Sequence, residues 1–292
     1  MPARIFKASF TLALLTALFA LSAIGWLGQS AATYAGNTRQ PESAVRVPVI
    51  MYHHILRDSR RWGDYVVSPD EFEEDLRYLT DAGYVSISVT QLIAYVKYGE
   101  PLPEKPVILS FDDGHRSFLA YALPLLEKYG QQAVVAVVGS YSEAYSESDD
   151  HNVAYAYLSW DEIAEISAGG RAEILNHTWS LHDNSGRRNG TKRISGETLE
   201  EYSAVLHEDI GRLQDKLEAV TGARPSAFVY PFGAISGESV DILRDMGFEA
   251  ALDCEGRLNL FTPGDEDALM DIHRVNRRHG LSAQAIIEKL TK

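Results

Sequence analysis

Residues 106–114 read Pro-Val-Ile-Leu-Ser-Phe-Asp-Asp-Gly, an apolar run that ends abruptly in two carboxylates and a glycine. A run this apolar, Pro106 to Phe111, suits a strand buried on both faces. Runs of the same kind occur at 47–52 (VPVIMY), 133–138 (AVVAVV), 172–175 (AEIL) and 226–230 (SAFVY). Helix starts lie between them. Ser68-Pro69-Asp70-Glu71 is a capping box with Pro at the first helical position, followed by Phe72, Leu76 and Leu79 on one face. Ser159 with Glu162 and Thr198 with Glu201 repeat the signal. After Thr198, Leu199, Tyr202, Leu206, Ile210, Leu213, Leu217 and Val220 form one stripe. Strand and helix patterns therefore alternate, which predicts an α/β fold with a parallel sheet or barrel. In such folds the chemistry gathers at the C-terminal ends of the strands.

Three strand ends carry groups suited to chemistry. Asp112 and Asp113 close the first, and adjacent carboxylates leaving a buried strand are costly unless something positive holds them. Taken alone, the pair reads more plainly as a helix N-cap with a spare acid, since a helix is expected from Arg116. The strand at 172–175 runs into Asn176-His177-Thr178-Trp179-Ser180-Leu181-His182-Asp183, where two imidazoles can reach one ion; a surface loop with two histidines is the plainer alternative. The run at 226–230 ends in Pro231-Phe232-Gly233, a turn that exposes backbone N–H groups. All three fall at the same end of one sheet. One carboxylate and two imidazoles make a three-ligand face on a divalent ion, leaving the second carboxylate to take a proton, and these are the parts for metal-assisted hydrolysis.

Bulk properties narrow the setting. The 292 residues are 45% hydrophobic, 23% charged and 10% aromatic, an ordinary globular balance. Arg4 and Lys7 precede an apolar stretch from Ala8 to Gly28, the order of an export signal. The stretch is long for a cleaved signal and just long enough for a membrane span. Ala32 or Ala35 can close a small-x-small cleavage site, so residues 1–35 are expected to be a signal peptide or an N-terminal anchor. Residues 36–46 read as a polar linker, and a single catalytic domain is expected over 47–292. Both alternatives put the bulk of the chain outside the cytoplasm, with membrane contact only through the N-terminal segment. The single Cys254 permits no internal disulfide. Net charge is −14, with 27 basic and 41 acidic residues. That balance disfavours nucleic acid and anionic lipid and suits a neutral or cationic polymer.

MYHHI at 51–55, SFDDG at 110–114, NHTWSLH at 176–182, YPFG at 230–233 and DIHRVN at 271–276 resemble, in this order, the polysaccharide deacetylases with the NodB-homology domain. The resemblance covers roughly residues 47–280. It implies a distorted, incomplete (β/α) barrel and one divalent metal ion, usually Zn2+. It also implies Asp112 as the general base, and Asp113, His177 and His182 as the metal ligands. The backbone N–H of Phe232 would help hold the oxyanion, and His273 would be the general acid. His53, His54 and His279 are the other candidates for that acid, whereas His115, His151 and His207 read as ordinary surface or helix residues. Trp179 and Trp62 either stack on a sugar or pack beneath their loops.

Three departures qualify the resemblance. The paired histidines are five apart rather than four, as in the branch that acts on the poly-N-acetylglucosamine of biofilms. Val229 stands where many members have an arginine that steadies the base, so a less finely held base and lower efficiency are expected. Asp253 lacks the tryptophan of the fourth motif. The resemblance therefore implies removal of N-acetyl groups from an exported N-acetylglucosamine polysaccharide. The alternatives are a peptidoglycan or chitin-type N-deacetylase, a xylan O-acetyl esterase, and a non-catalytic glycan-binding module on the same scaffold.

Overall fold

The computed structural model describes residues 44–291. In chain order its strands begin with β1 (Val45–Val47), β2 (Val49–Tyr52), β3 (His54–Ile55), β4 (Val66–Val67), β5 (Val85–Ser86) and β6 (Pro106–Phe111). They continue with β7 (Ala133–Val137), β8 (Ala172–Asn176), β9 (Ala227–Val229), β10 (Ala250–Leu252), β11 (Asn259–Phe261) and β12 (Val275–Asn276). The helices are α1 (Pro69–Asp81), α2 (Val89–Tyr98), α3 (Leu123–Tyr129), α4 (Gly139–Ser146), α5 (Trp160–Ala168), α6 (Leu199–Thr221), α7 (Gly237–Asp245) and α8 (Ala283–Thr291). Helices α1, α5 and α6 open on the capping boxes expected from Ser68, Ser159 and Thr198. Ser88 with Gln91 makes a further box at α2 that the sequence pattern did not single out.

The main sheet runs β10-β9-β8-β7-β6-β2-β12, each pairing parallel, and β5 pairs with the start of β6. A parallel bridge from Leu252 to Ile272 ties the chain just ahead of β12 back to β10. The sheet thus curls toward its own far edge and forms the distorted, incomplete (β/α) barrel. Strand alternation then sorts every side chain. Val49, Ile108, Val134, Ala136, Leu175, Val229 and Leu252 form one buried cluster inside the curl, which Leu92, Ile93 and Val96 of α2 join. Phe111, Val135, Val137 and Ile174 face outward into a second cluster with α1, α3, α5 and α8. Phe228, Tyr230 and Ala251 meet α6 and α7 in a third.

One boundary moves. Val45 and Arg46 were expected in the linker, yet they belong to β1, which pairs antiparallel with β11. The expected signal or anchor and most of the expected linker lie outside the described residues. Among the described residues no helix is long and apolar enough to cross a membrane.

Candidate metal centre

Three non-glycine residues have positive φ among the described residues: Asp113 (70°), Thr178 (76°) and Phe232 (57°). One stands at each of the three strand ends singled out from sequence. Such backbone is strained for a side chain with a Cβ and is concentrated at functional sites. At β6 the chain reverses through Asp113 and Gly114, and a Cβ on Gly114 would come within 3.0 Å of Val137 Cγ1. Asp112 keeps the inward parity of Ile108 and Ser110, while the left-handed turn brings Asp113 back toward β8.

Asp113, His177 and His182 each offer one ligand atom, all within 4.8 Å of one another. Asp113 Oδ1 is 3.1 Å from His182 Nε2 and 3.6 Å from His177 Nε2. The His177 ring is oriented by its Nδ1, 2.7 Å from the Val229 carbonyl, which accepts its proton and leaves Nε2 as a lone pair. The loop between the histidines is held from α6. Asp209 accepts hydrogen bonds from the N–H groups of Trp179 (2.8 Å) and Ser180 (2.9 Å) and from the Ser180 hydroxyl (2.8 Å). The Asn176 amide donates to the Ile210 carbonyl and to Gln214 Oε1. Asp113 Oδ1 is buried without a hydrogen-bond partner. A carboxylate oxygen facing an imidazole lone pair repels it, and a divalent cation is what such a set satisfies. The residues fit a metal.

Burial pushes the Asp113 carboxyl up, but His115, His182 and His53 outweigh it and leave it well below the ordinary carboxylate range. Burial takes His177 down to about 4, so it is a neutral ligand near neutral pH. At His182 burial lowers the value, and the Asp113 carboxylate more than reverses that, leaving it raised.

Asp112 is buried beside this group, its Oδ2 3.9 Å from His177 Nε2. Arg274, fully buried, holds it: Nη1 lies 2.5 Å from Asp112 Oδ1 and donates to Ser110 Oγ at 2.9 Å, while Nε donates to the Asp253 carbonyl. Burial raises the Asp112 carboxyl, and Arg274, His177 and His53 bring it below its usual value. The less finely held base expected from Val229 is thus corrected. The missing arginine is replaced by one from the chain leading into β12, and the Val229 carbonyl serves His177 instead. Arg274 was missed in sequence, although its alternation with Ile272, an interior residue, was the available signal.

The same alternation places His273. It has the opposite parity to Arg274, and its Nδ1 lies 2.8 Å from Asp253 Oδ2, with Asp271 Oδ2 3.6 Å from Nε2. Its backbone is clamped by Asn259. Asp253, Asp271 and His273 form a cluster of their own, apart from Asp113, His177 and His182.

His53, by contrast, leaves β2 with inward parity. Its Nδ1 is buried without a hydrogen-bond partner, and burial lowers its pKa against the pull of Asp112 and Asp113. His54 is occupied elsewhere, with Nδ1 2.6 Å from Ser117 Oγ, and His279 faces Glu71 at 3.0 Å. His151 and His207 are exposed, as expected, whereas His115 is half-buried. Its side chain lies against Asp113. Phe232 sits in its strained turn with the ring 4.6 Å from that of His182. The turn's backbone bonds come from the N–H groups of Gly233 and Ala234, so the Phe232 N–H takes part in neither. Trp179 packs beneath its loop, with the Arg212 guanidinium 3.7 Å above its ring. Trp62 donates to the Leu56 carbonyl at 2.7 Å.

Known proteins resemble the chain in sequence and in fold. Residues 99–251 match the family model described as polysaccharide deacetylase. The poly-beta-1,6-N-acetyl-D-glucosamine N-deacetylase of Escherichia coli (strain K12) is 26% identical over 227 residues, covering 72% of this chain and 34% of that protein. The chain therefore spans about a third of that relative's length. The Staphylococcus aureus (strain MSSA476) protein of the same name is 22% identical over 214 residues, covering 73% and 69%. A solved de-N-acetylase from Aggregatibacter actinomycetemcomitans shares the fold, with a TM-score of 0.71 at 23% identity, covering 84% of this chain and 99% of that one. With more than half its length matched by the family model and the fold to go with it, the chain belongs to the polysaccharide deacetylase family.

Proposed function

We propose that the chain is a metal-dependent N-deacetylase of poly-β-1,6-N-acetylglucosamine, exported and acting outside the cytoplasm. The observation that carries the chemistry is the division of labour at the end of β6. Asp113 faces two imidazoles, and Asp112 stands beside them, ionised and free of that group. The names of the relatives and the five-residue histidine spacing favour the β-1,6-linked polymer. An acidic surface suits the cationic amine product.

In this proposal Asp113, His177 and His182 hold one divalent ion, with Zn2+ favoured by the mixed nitrogen and oxygen ligands. Bound there, the metal supplies Lewis acidity toward the acetyl carbonyl and lowers the pKa of the attacking water. Asp112 Oδ2 accepts the proton from that water, and Arg274 on Oδ1 keeps the carboxylate ionised and aimed. The Phe232 N–H donates to the oxyanion that develops on the carbonyl oxygen. His53 takes over the acid role: neutral at rest, it passes to the departing amine the proton that Asp112 has taken from the water, so that acetate leaves and a glucosamine unit remains in the polymer.

The test is acetate release from β-1,6- and β-1,4-linked N-acetylglucosamine oligomers, peptidoglycan and acetylated xylan, before and after chelation. Release from the β-1,6 oligomers, abolished by chelation and restored by zinc, is the expected result. Preference for another glycan overturns the substrate. Binding without release from any of them means a glycan-binding module. Full-length protein in the cytoplasmic fraction overturns export, and the mature N-terminus distinguishes a cleaved signal from an anchor.

A further inference from the structure

The SFDDG turn is followed by His115, whose side chain the proposed mechanism does not use. His115 Nε2 lies 3.5 Å from Asp113 Oδ2, the carboxylate oxygen turned away from the two histidines. The ring is fixed from both sides. It stacks on His54 with centroids 4.2 Å apart and planes 4° from parallel, and on Tyr157 at 4.7 Å and 22°. His54 is itself anchored, with Nδ1 2.6 Å from Ser117 Oγ and Nε2 3.2 Å from the Ala154 carbonyl. The backbone is clamped as well: His115 bridges Tyr157, the Leu158 N–H donates to the Gly114 carbonyl at 2.8 Å, and the Arg116 N–H donates to the Ala156 carbonyl at 2.9 Å. A side chain this constrained, beside one oxygen of a buried carboxylate, has few arrangements open to it.

We infer that His115 is a positioning residue for the metal-binding carboxylate, donating from Nε2 to Asp113 Oδ2 so that Oδ1 stays turned toward His177 and His182. The inference rests on the proposal that Asp113 is a ligand. Two features support it. Asp113 lies in left-handed backbone past the end of β6 and its Oδ1 makes no hydrogen bond, so Oδ2 is the oxygen through which a partner can orient it. The proton must also sit on Nε2, because the other tautomer would set a lone pair against the carboxylate; His115 Nδ1 is then the bare nitrogen, and it is buried without a partner. Partners of this kind orient a ligand and raise its affinity for the ion, and their loss typically costs ~10–100-fold in metal affinity. Packing alone would predict that any flat ring serves as well.

The experiment separates donor from ring. The purified protein is stripped of metal and titrated with Co2+, reading affinity and the visible absorption band, with folding followed by circular dichroism. His115→Phe keeps a ring for the stack and removes the donor; it should weaken Co2+ binding by ~10–100-fold and alter the band. His115→Gln keeps a donor where Nε2 stood and should retain most of the affinity. His115→Asn, whose amide stops a bond short, should lose affinity as His115→Phe does, and it stands in if the Phe variant does not fold. Wild-type affinity in His115→Phe or His115→Asn overturns the inference. So does equal loss in His115→Gln and His115→Phe, which would mean that a donor in place of Nε2 does not hold the carboxylate. Asp113→Asn is the control for the underlying reading. If it binds Co2+ as tightly as the wild type, Asp113 is no ligand and the inference falls with that reading.

Discussion

Arg274 Nη1 lies 2.5 Å from Asp112 Oδ1, although 162 residues separate them in sequence. The guanidinium is buried at its end of the pair and the carboxylate at the other. A buried carboxylate without a partner would take up a proton rather than remain charged. The contact therefore decides whether Asp112 is ionised when a proton must be accepted.

Replacing the arginine tests this. In Arg274→Met the charged form of Asp112 loses its main support and its pKa rises. A base works only when ionised, so activity should disappear at a higher pH than in the wild type as the solution is acidified. Turnover near neutrality should fall by ~10²-fold. Metal content should stay the same. The pH–rate profile with parallel metal analysis is the check, and an acidic limb that does not move refutes the role.

The adjacent carboxylates should separate on mutation. Asp113→Asn, His177→Ala and His182→Ala are expected to lose metal and activity together, since an amide oxygen is a poorer ligand than a carboxylate. Asp112→Asn should keep its metal and lose turnover by ~10²–10⁴-fold. Metal content and acetate release measured on all four variants decide the matter. Metal lost from Asp112→Asn but kept by Asp113→Asn would reverse the assignment.

Metal occupancy should depend on pH through His182. Its pKa is raised above the ordinary imidazole value by Asp113, whereas burial takes His177 down to about 4. A protonated imidazole cannot ligate. As pH falls through the raised His182 value, affinity should weaken by about tenfold per unit, one proton competing with one ion. Equilibrium dialysis at a series of pH values gives the slope. Affinity that holds steady well below the ordinary histidine range would exclude His182 from the ligand set.

Stability should rest on a different pair. Asp75, buried in α1, accepts from Arg277 Nε at 2.7 Å, from the Tyr52 hydroxyl at 3.0 Å and from the Ala283 N–H at 2.7 Å. Asp75→Ala strands a buried guanidinium and should cost about 3–5 kcal/mol. Ser68→Ala, which removes one capping bond, should cost about 1 kcal/mol. Denaturant unfolding of both compares them, and equal losses would mean that the buried pair is solvated.

What the sequence determined by itself was local. Apolar runs such as 106–111 and 133–138 have no polar face to show solvent, so they had to become interior strands. Ser68, Ser159 and Thr198 announced their helices because a capping box satisfies N–H groups within four residues of chain. The three reactive strand ends were legible for the same reason, each chemistry lying directly after its strand. Tertiary structure decided what depends on closing the barrel. Strands β10, β11 and β12 are two or three residues long and carry too little periodicity to recognise, and the register of the last of them sets which neighbour faces inward. That register sent Arg274 to Asp112 and His273 to Asp253, a choice invisible in DIHRVN alone. His115 followed the same rule: only the stacking of His54 and Tyr157, brought from distant parts of the chain, holds its ring against Asp113. Contacts between residues far apart in sequence leave no pattern in either stretch, because each side chain is chosen for a partner that the other stretch supplies.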